Sequence, residues 1–260
     1  MPHQQLEMEI KVPPPVTISR EVRRLTGTAF DYLLRFYLEK LDRSAISGKW
    51  VAEASLALLE HKPSERQNAK EAQKIVKAAR ELHASYLKRK DKEPPDETLI
   101  RVAIELAQLD PVYRGRQWVR QGADNRLVDD LRNLVASVPL DDFKAAHVCV
   151  LNPTFGAASR LVGGADADLF IDTTLIEIKT SKYLTETTED AFPQLVGYYL
   201  LSCIGGIDGC EEKASGVAIY HARYGCLQRF AISDFMDDRR QQSLLKWFKA
   251  RAKREFPPQR

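Results

Sequence analysis

Apolar residues recur at helical spacing through the first half of the chain and at alternate positions through much of the second. From Thr28 the run AFDYLLRFYLEKL sets Phe30, Leu33, Leu34, Tyr37, Leu38 and Leu41 on one face of an amphipathic helix. That aromatic stripe reads as core rather than as a platform for stacking bases. A second helix is expected over 51–61 and, after Pro63, a long charged one over 64–90. Its acidic and basic residues alternate along the chain; its cations Lys70, Lys74, Lys77 and Arg80 recur at three to four residues and could line a groove, although a solvated face is the expectation. Pro94 and Pro95 mark a break and a candidate hinge, followed by helices over 98–108 and 123–136. Pro13, Pro14 and Pro15 end an expected flexible N-terminal tail.

The period then changes. A short strand is expected over 147–151, then a hairpin, a helix around Gln194 closed by Gly205 and Gly206, and two strands either side of Tyr224 and Gly225. A last helix begins after Asp234. The pattern predicts an α/β chain, with a mainly helical region over 1–120 and a mixed region over 121–260.

The hairpin segment, GGADADLFIDTTLIEIKTSK, carries the chemistry. Side chains alternate along a strand, so Glu177 and Lys179 point one way while Ile176 and Ile178 point the other, toward core. Asp166 and Asp168 alternate likewise with Ala167, Leu169 and Ile171. A loop made of Asp172 and Thr173 would set Asp168 opposite Glu177 and Asp166 opposite Lys179, with all four side chains on one face. Carboxylates held that close repel, and a divalent cation removes the conflict. Hard oxygen ligands without Cys or His suit Mg²⁺ or Mn²⁺. A lysine beside them can orient the attacking water or offset negative charge on phosphorus.

Asp166 or Asp168, Glu177 and Lys179 resemble the signature of the PD-(D/E)xK, restriction-endonuclease-like nucleases. Gln194 and Tyr198 in FPQLVGYYL form a QxxxY pair like that of the RecB-like and lambda-type exonucleases, and the i,i+4 spacing puts both on one helix face. The resemblance covers roughly the last 100 residues. It implies an αβββαβ core, with which the expected order of helix, three strands, helix, strand and strand agrees. It also implies a metal held by an aspartate, Glu177 and the backbone carbonyl of Ile178, with Lys179 assisting the attacking water and Gln194 and Tyr198 contacting the nucleic-acid strand. No literal Pro-Asp precedes the strand, and the spacing from aspartate to Glu177 is shorter than is usual in the RecB-like branch. Either Asp166 or Asp168 can therefore be the ligand. The activity implied is that of a DNA exonuclease or end-processing enzyme; the alternative is a catalytically silent nucleic-acid-binding or scaffold subunit of the same fold. Lambda-type relatives form rings, so a homo-oligomer or a partner protein is compatible with the resemblance.

Composition adds limits. The net charge of +3 does not announce a nucleic-acid binder, so local cations carry that expectation: Lys182, Arg223 beside His221, for which an ordinary hairpin role is the equal alternative, and Lys249 and Lys253 in the C-terminal stretch KWFKARAKREF, which reads equally as a solvated helix face. Asp129 or Asp130 could add an acid, although helix-terminal charge is the commoner explanation. No apolar run is long enough to span a bilayer, and the N-terminus lacks the layout of a signal peptide, so a cytoplasmic protein is expected. Cys149, Cys203, Cys210 and Cys226 form no CxxC and read as free thiols. Some RecB-like nucleases hold an iron–sulfur cluster on one upstream and three downstream cysteines. Here six residues separate Cys203 from Cys210 and fifteen separate Cys210 from Cys226, too open for that ligation. HExxH, GxSxG, GxxxxGK[ST] and GxGxxG are all missing, and five scattered histidines make no zinc site.

Overall fold

The structure, a computed structural model, describes residues 8–15 and 19–257. The expected N-terminal tail thus lies partly outside the described residues. Two compact units divide the chain: one of Ile10–Arg43 and Gly48–Val138, the other chiefly of Ser44–Ser47 and Pro139–Arg260.

The first unit is helical. Helix α1 (Arg20–Leu41) begins earlier than the apolar periodicity alone suggests, because the Ser19 hydroxyl caps it by accepting from the N–H of Val22. Helix α2 (Val51–Glu60) and a 3₁₀ turn at Pro63–Glu65 lead into α3 (Arg66–Lys88). Helix α4 (Glu97–Tyr113), capped by Asp96, is buried along most of its length, with Glu97, Arg101 and Glu105 at i,i+4 along its polar edge. It runs past 108 and through Pro111, which sits in the last turn and has no N–H to donate to the carbonyl four residues before it. Helix α5 (Asn125–Ala136), capped by Asp124, lays Leu127, Val128, Leu131 and Leu134 against α1 and α4. The division therefore falls after Val138 and not after residue 120, because the apolar face of α5 finds its partner among the helices.

The second unit is built on a six-stranded mixed sheet in the order β1 (Ile46–Ser47), β2 (Cys149–Leu151), β3 (Leu169–Ile171), β4 (Thr174–Lys179), β5 (Gly216–His221), β6 (Cys226–Ala231). Strands β2, β3 and β4 form an antiparallel meander. Helix α6 (Leu184–Gly205) then carries the chain across, so that β5 lies parallel to β4, and β6 returns antiparallel. The last element is α7 (Asp238–Glu255). One core packs Phe170, Leu175, Val217 and Ile219 of the sheet under Ala191, Leu195 and Tyr199 of α6.

Both faces of β4 are buried, which is the situation of a central strand and not of a one-sided hairpin. Leu175 lies in the core beneath α6. Glu177 and Lys179 follow it on that same face at steps of two, so the apolar layer gives way to charge at the C-terminal end of the strand. Ile176 and Ile178 are buried on the opposite face.

Candidate active site at the end of strand β4

The hairpin has the expected register: Ile171 pairs with Thr174, Phe170 with Leu175 and Leu169 with Ile176, leaving Asp172 and Thr173 as the loop. Asp172 takes a positive φ of 53°, a conformation that aspartate tolerates better than most residues. Its carboxylate accepts from the N–H groups of Ala146, His147 and Val148. Burial pushes its pKa up, but these backbone donors prevail and hold it below the usual carboxylate value.

Asp168, one residue before β3, points its Oδ2 at the N–H of Ile178, 2.6 Å away across the ladder. The β3–β4 register ends at Leu169 and Ile176, so Asp166 lies beyond the paired stretch. On the other edge of the strand it forms an antiparallel bridge with Thr154, where β2 continues to pair beyond Leu151: Asn152 N–H donates to Asp168 O, and Ala167 N–H to Pro153 O. The backbone of Asp166 is thus registered on the β2 side.

Glu177 is only 6% exposed. Its Oε1 accepts from Lys179 Nζ at 2.7 Å, and the same ammonium lies 3.4 Å from Gln194 Oε1 on α6. Gln194 Nε2 in turn donates to the Tyr198 hydroxyl at 2.6 Å. One series of contacts therefore runs from the buried carboxylate through lysine and amide to the phenol. Burial first, and then the charges of Glu177, Asp168 and Asp166, push the Tyr198 pKa well above its ordinary value, opposed only by the Gln194 hydrogen bond. The phenol stays protonated at any physiological pH, and all three acids act on it. Phe155, fully buried, stacks on its ring with centroids 5.7 Å apart and planes 28° apart.

The other expected contacts divide. Lys182 is exposed, and its ammonium lies 5.2 Å from the Tyr183 ring centroid. Lys249 and Lys253 are exposed on α7. Arg223, expected to reach phosphate, is 2% exposed, and its Nε donates to the carbonyl of Thr180 at 2.7 Å. Next to it, Tyr224 donates to the carbonyl of Lys182 at 2.6 Å. Together these two side chains hold the turn between Lys179 and α6. His221 is buried against Gln228, and burial lowers its pKa, offset in part by that hydrogen bond. Asp129 pairs with Arg132, and Asp130 is buried in the helical unit. Sequence reasoning missed Phe155 and Tyr224 and gave Arg223 a surface role; neither spacing nor residue type signals such contacts.

Asp168 and Glu177 carry hard carboxylate oxygens of the kind Mg²⁺ or Mn²⁺ prefers. Among the described residues no three His, Cys, Asp or Glu side chains stand as a ready metal cluster. Glu177 is turned onto Lys179, and one oxygen of Asp168 onto Ile178. The four cysteines are free thiols, with Cys149 buried in β2 and Cys203 exposed on α6. No described helix is long and apolar enough to cross a membrane.

Searches against protein-family models, curated proteins and solved structures return no match for this chain.

Proposed function

We propose that the chain is a Mg²⁺- or Mn²⁺-dependent nuclease of the PD-(D/E)xK type, hydrolysing phosphodiester bonds in DNA as an exonuclease or end-processing enzyme. The observation that carries this reading is the continuous series Glu177, Lys179, Gln194 and Tyr198, with Asp168 on the neighbouring strand. Residues picked out by two separate motifs meet at one place. The β2–β3–β4 meander, the α6 crossover and the parallel β5 support the strand and helix order of a restriction-endonuclease-like core.

A divalent cation held by Asp168, Glu177 and the Ile178 carbonyl, with Asp166 as the alternative aspartate, would polarise the phosphate and acidify the attacking water. Lys179 touches both the acid and the amide, so its ammonium can turn from Glu177 toward charge that builds on phosphorus. Tyr198, kept protonated, is a neutral donor suited to a phosphate oxygen, and Gln194 fixes its hydroxyl. Arg223 and Tyr224 act at one remove, by holding the turn that follows Lys179.

A second reading, a catalytically silent nucleic-acid-binding or scaffold subunit, draws support from the engagement of both carboxylates by groups of the chain itself. The test incubates wild type and Lys179→Gln with end-labelled linear and closed-circular DNA, single- and double-stranded, in Mg²⁺, Mn²⁺ or EDTA. Metal- and Lys179-dependent loss of linear DNA alone supports the exonuclease, and cutting of circles an endonuclease. Binding without turnover under every metal favours the silent subunit.

A further inference from the structure

Helix α3 buries Ala72, Ile75, Ala79 and Tyr86 on one side. At 100° per residue, that stripe places Arg66, Lys70, Lys74 and Lys77 directly opposite, and all four are exposed. From Arg66 to Lys77 no acid lies on this face; Glu81, exposed and four residues after Lys77, is the first that does. Glu71 sits on the flank, where it meets Lys74 at 3.0 Å and Arg120 at 3.6 Å; Arg80 turns to Glu53 and lies 3.7 Å over the Trp50 ring. A solvated face gains from opposite charges at i,i+4. Here Arg66 and Lys70, then Lys70 and Lys74, repeat the same charge at that spacing, which disfavours the helix and calls for another ligand.

A second feature points to an anion. At the N-terminal end of this face, Lys62, Arg66 and Lys70 line a concavity of about 320 Å³, together with Glu60, Pro63, Ala69 and Gln73. Three cations against one acid leave it net positive. From Arg66 to Lys77 the helix rises about 16 Å, which spans several phosphates of a strand that carries one every ~3.4 Å of axis.

We propose that the outward face of α3 is a phosphate-binding track for nucleic acid, distinct from the β4 site. The choice of nucleic acid as the polyanion rests on the nuclease reading. Contacts of lysine and arginine with phosphate position a strand without reading its sequence, so the track would hold substrate and leave the chemical step alone.

The test measures binding of labelled single- and double-stranded oligonucleotides to the full chain in EDTA, across a series of salt concentrations. Wild type is compared with Arg66→Gln/Lys70→Gln/Lys74→Gln/Lys77→Gln and with the double variant Lys70→Gln/Lys77→Gln. Circular dichroism and Tm confirm that each folds. The quadruple variant is expected to bind at least about tenfold more weakly near physiological salt, and its slope of log K against log salt should be shallower by about 2 to 4. The double variant should fall between. Unchanged affinity and slope would overturn the track, as would a wild type that binds neither strand form, or variants that lose only binding to anionic lipid vesicles. Failure of the nuclease reading shows differently, as DNA cleavage indifferent to metal and to Lys179. With cleavage present, the quadruple variant should raise KM and leave kcat unchanged.

Discussion

The carboxylate of Asp168 and the backbone N–H of Ile178 are joined at 2.6 Å across the β3–β4 hairpin. The acid is thereby tied to the peptide unit that joins Glu177 to Ile178, next to Lys179. Asp166 is registered on Thr154, on the other edge of the same strand. Asp168→Asn keeps an oxygen for the N–H while removing the charge. It should hold Tm within a few degrees and lower cleavage by at least about 100-fold. Asp166→Asn should cost less activity than Asp168→Asn. Equal loss in both variants, measured as kcat/KM on one linear substrate, would make Asp166 an equal partner.

Glu177 and Lys179 form the second pair. The Glu177 side chain is 8% exposed and that of Lys179 27%, so the lysine is screened in part and the acid hardly at all. Lys179→Gln leaves a buried carboxylate with a weaker donor, and should lower stability by about 1–3 kcal/mol in metal-free buffer. Adding Glu177→Gln should recover most of that loss, since the unpaired charge goes with it. Urea denaturation of the two single variants and the double one closes the cycle. A double variant as unstable as the sum of the singles would mean that the two residues do not interact.

The hairpin was legible because two period-two apolar runs flank a loop that suits Asp172, and that register put Asp168 beside Glu177 without a structure. The partner of Asp166 was hidden by Pro153. Proline cannot donate to a ladder, so the pairing of residues 152–154 with the segment before β3 does not read as strand. Strand β1, two exposed residues drawn from between helices, offers no alternation to detect. Arg223 reads as a surface cation by type alone. Its burial depends on the Thr180 carbonyl, 43 positions away, which residue spacing does not reveal. On α3 the recurrence of Lys70, Lys74, Lys77 and Arg80 at three to four residues was legible, whereas the turn of Arg80 aside to Glu53, 27 positions away, was not.

Phe155 supports Tyr198 through ring stacking from a position no motif marks. Phe155→Leu keeps most of the buried volume and loses the face of the ring, so it should cost about 1 kcal/mol of stability. Tyr198→Phe keeps the stack and removes the hydroxyl that Gln194 holds. If the phenol contacts the strand, Tyr198→Phe should impair cleavage more than Phe155→Leu while destabilising the chain less. Parallel kcat/KM and thermal-unfolding measurements separate the two effects, and matching losses in both variants would reduce Tyr198 to a packing residue.

In the helical unit, Tyr32 donates to Asp110 Oδ1 at 2.8 Å and accepts from the N–H of Ala52. Arg35, itself paired with Asp31, and Arg114 act on the same acid. Burial pushes the Asp110 pKa up to about 7, because the pull of the Tyr32 hydrogen bond and of the arginines does not outweigh desolvation and the like charge of Asp31. The folded chain therefore holds a proton there that the unfolded chain releases near the ordinary aspartate value. Stability from this group is full below about pH 4 and is lost as the pH rises toward 7, a change of a few kcal/mol at most. Asp110→Asn, which stays neutral, should flatten that part of the profile and leave the chain more stable than wild type at pH 8. Urea midpoints at pH 5, 6, 7 and 8 decide it. Parallel profiles for the two proteins would show that Asp110 ionises as an ordinary exposed aspartate does.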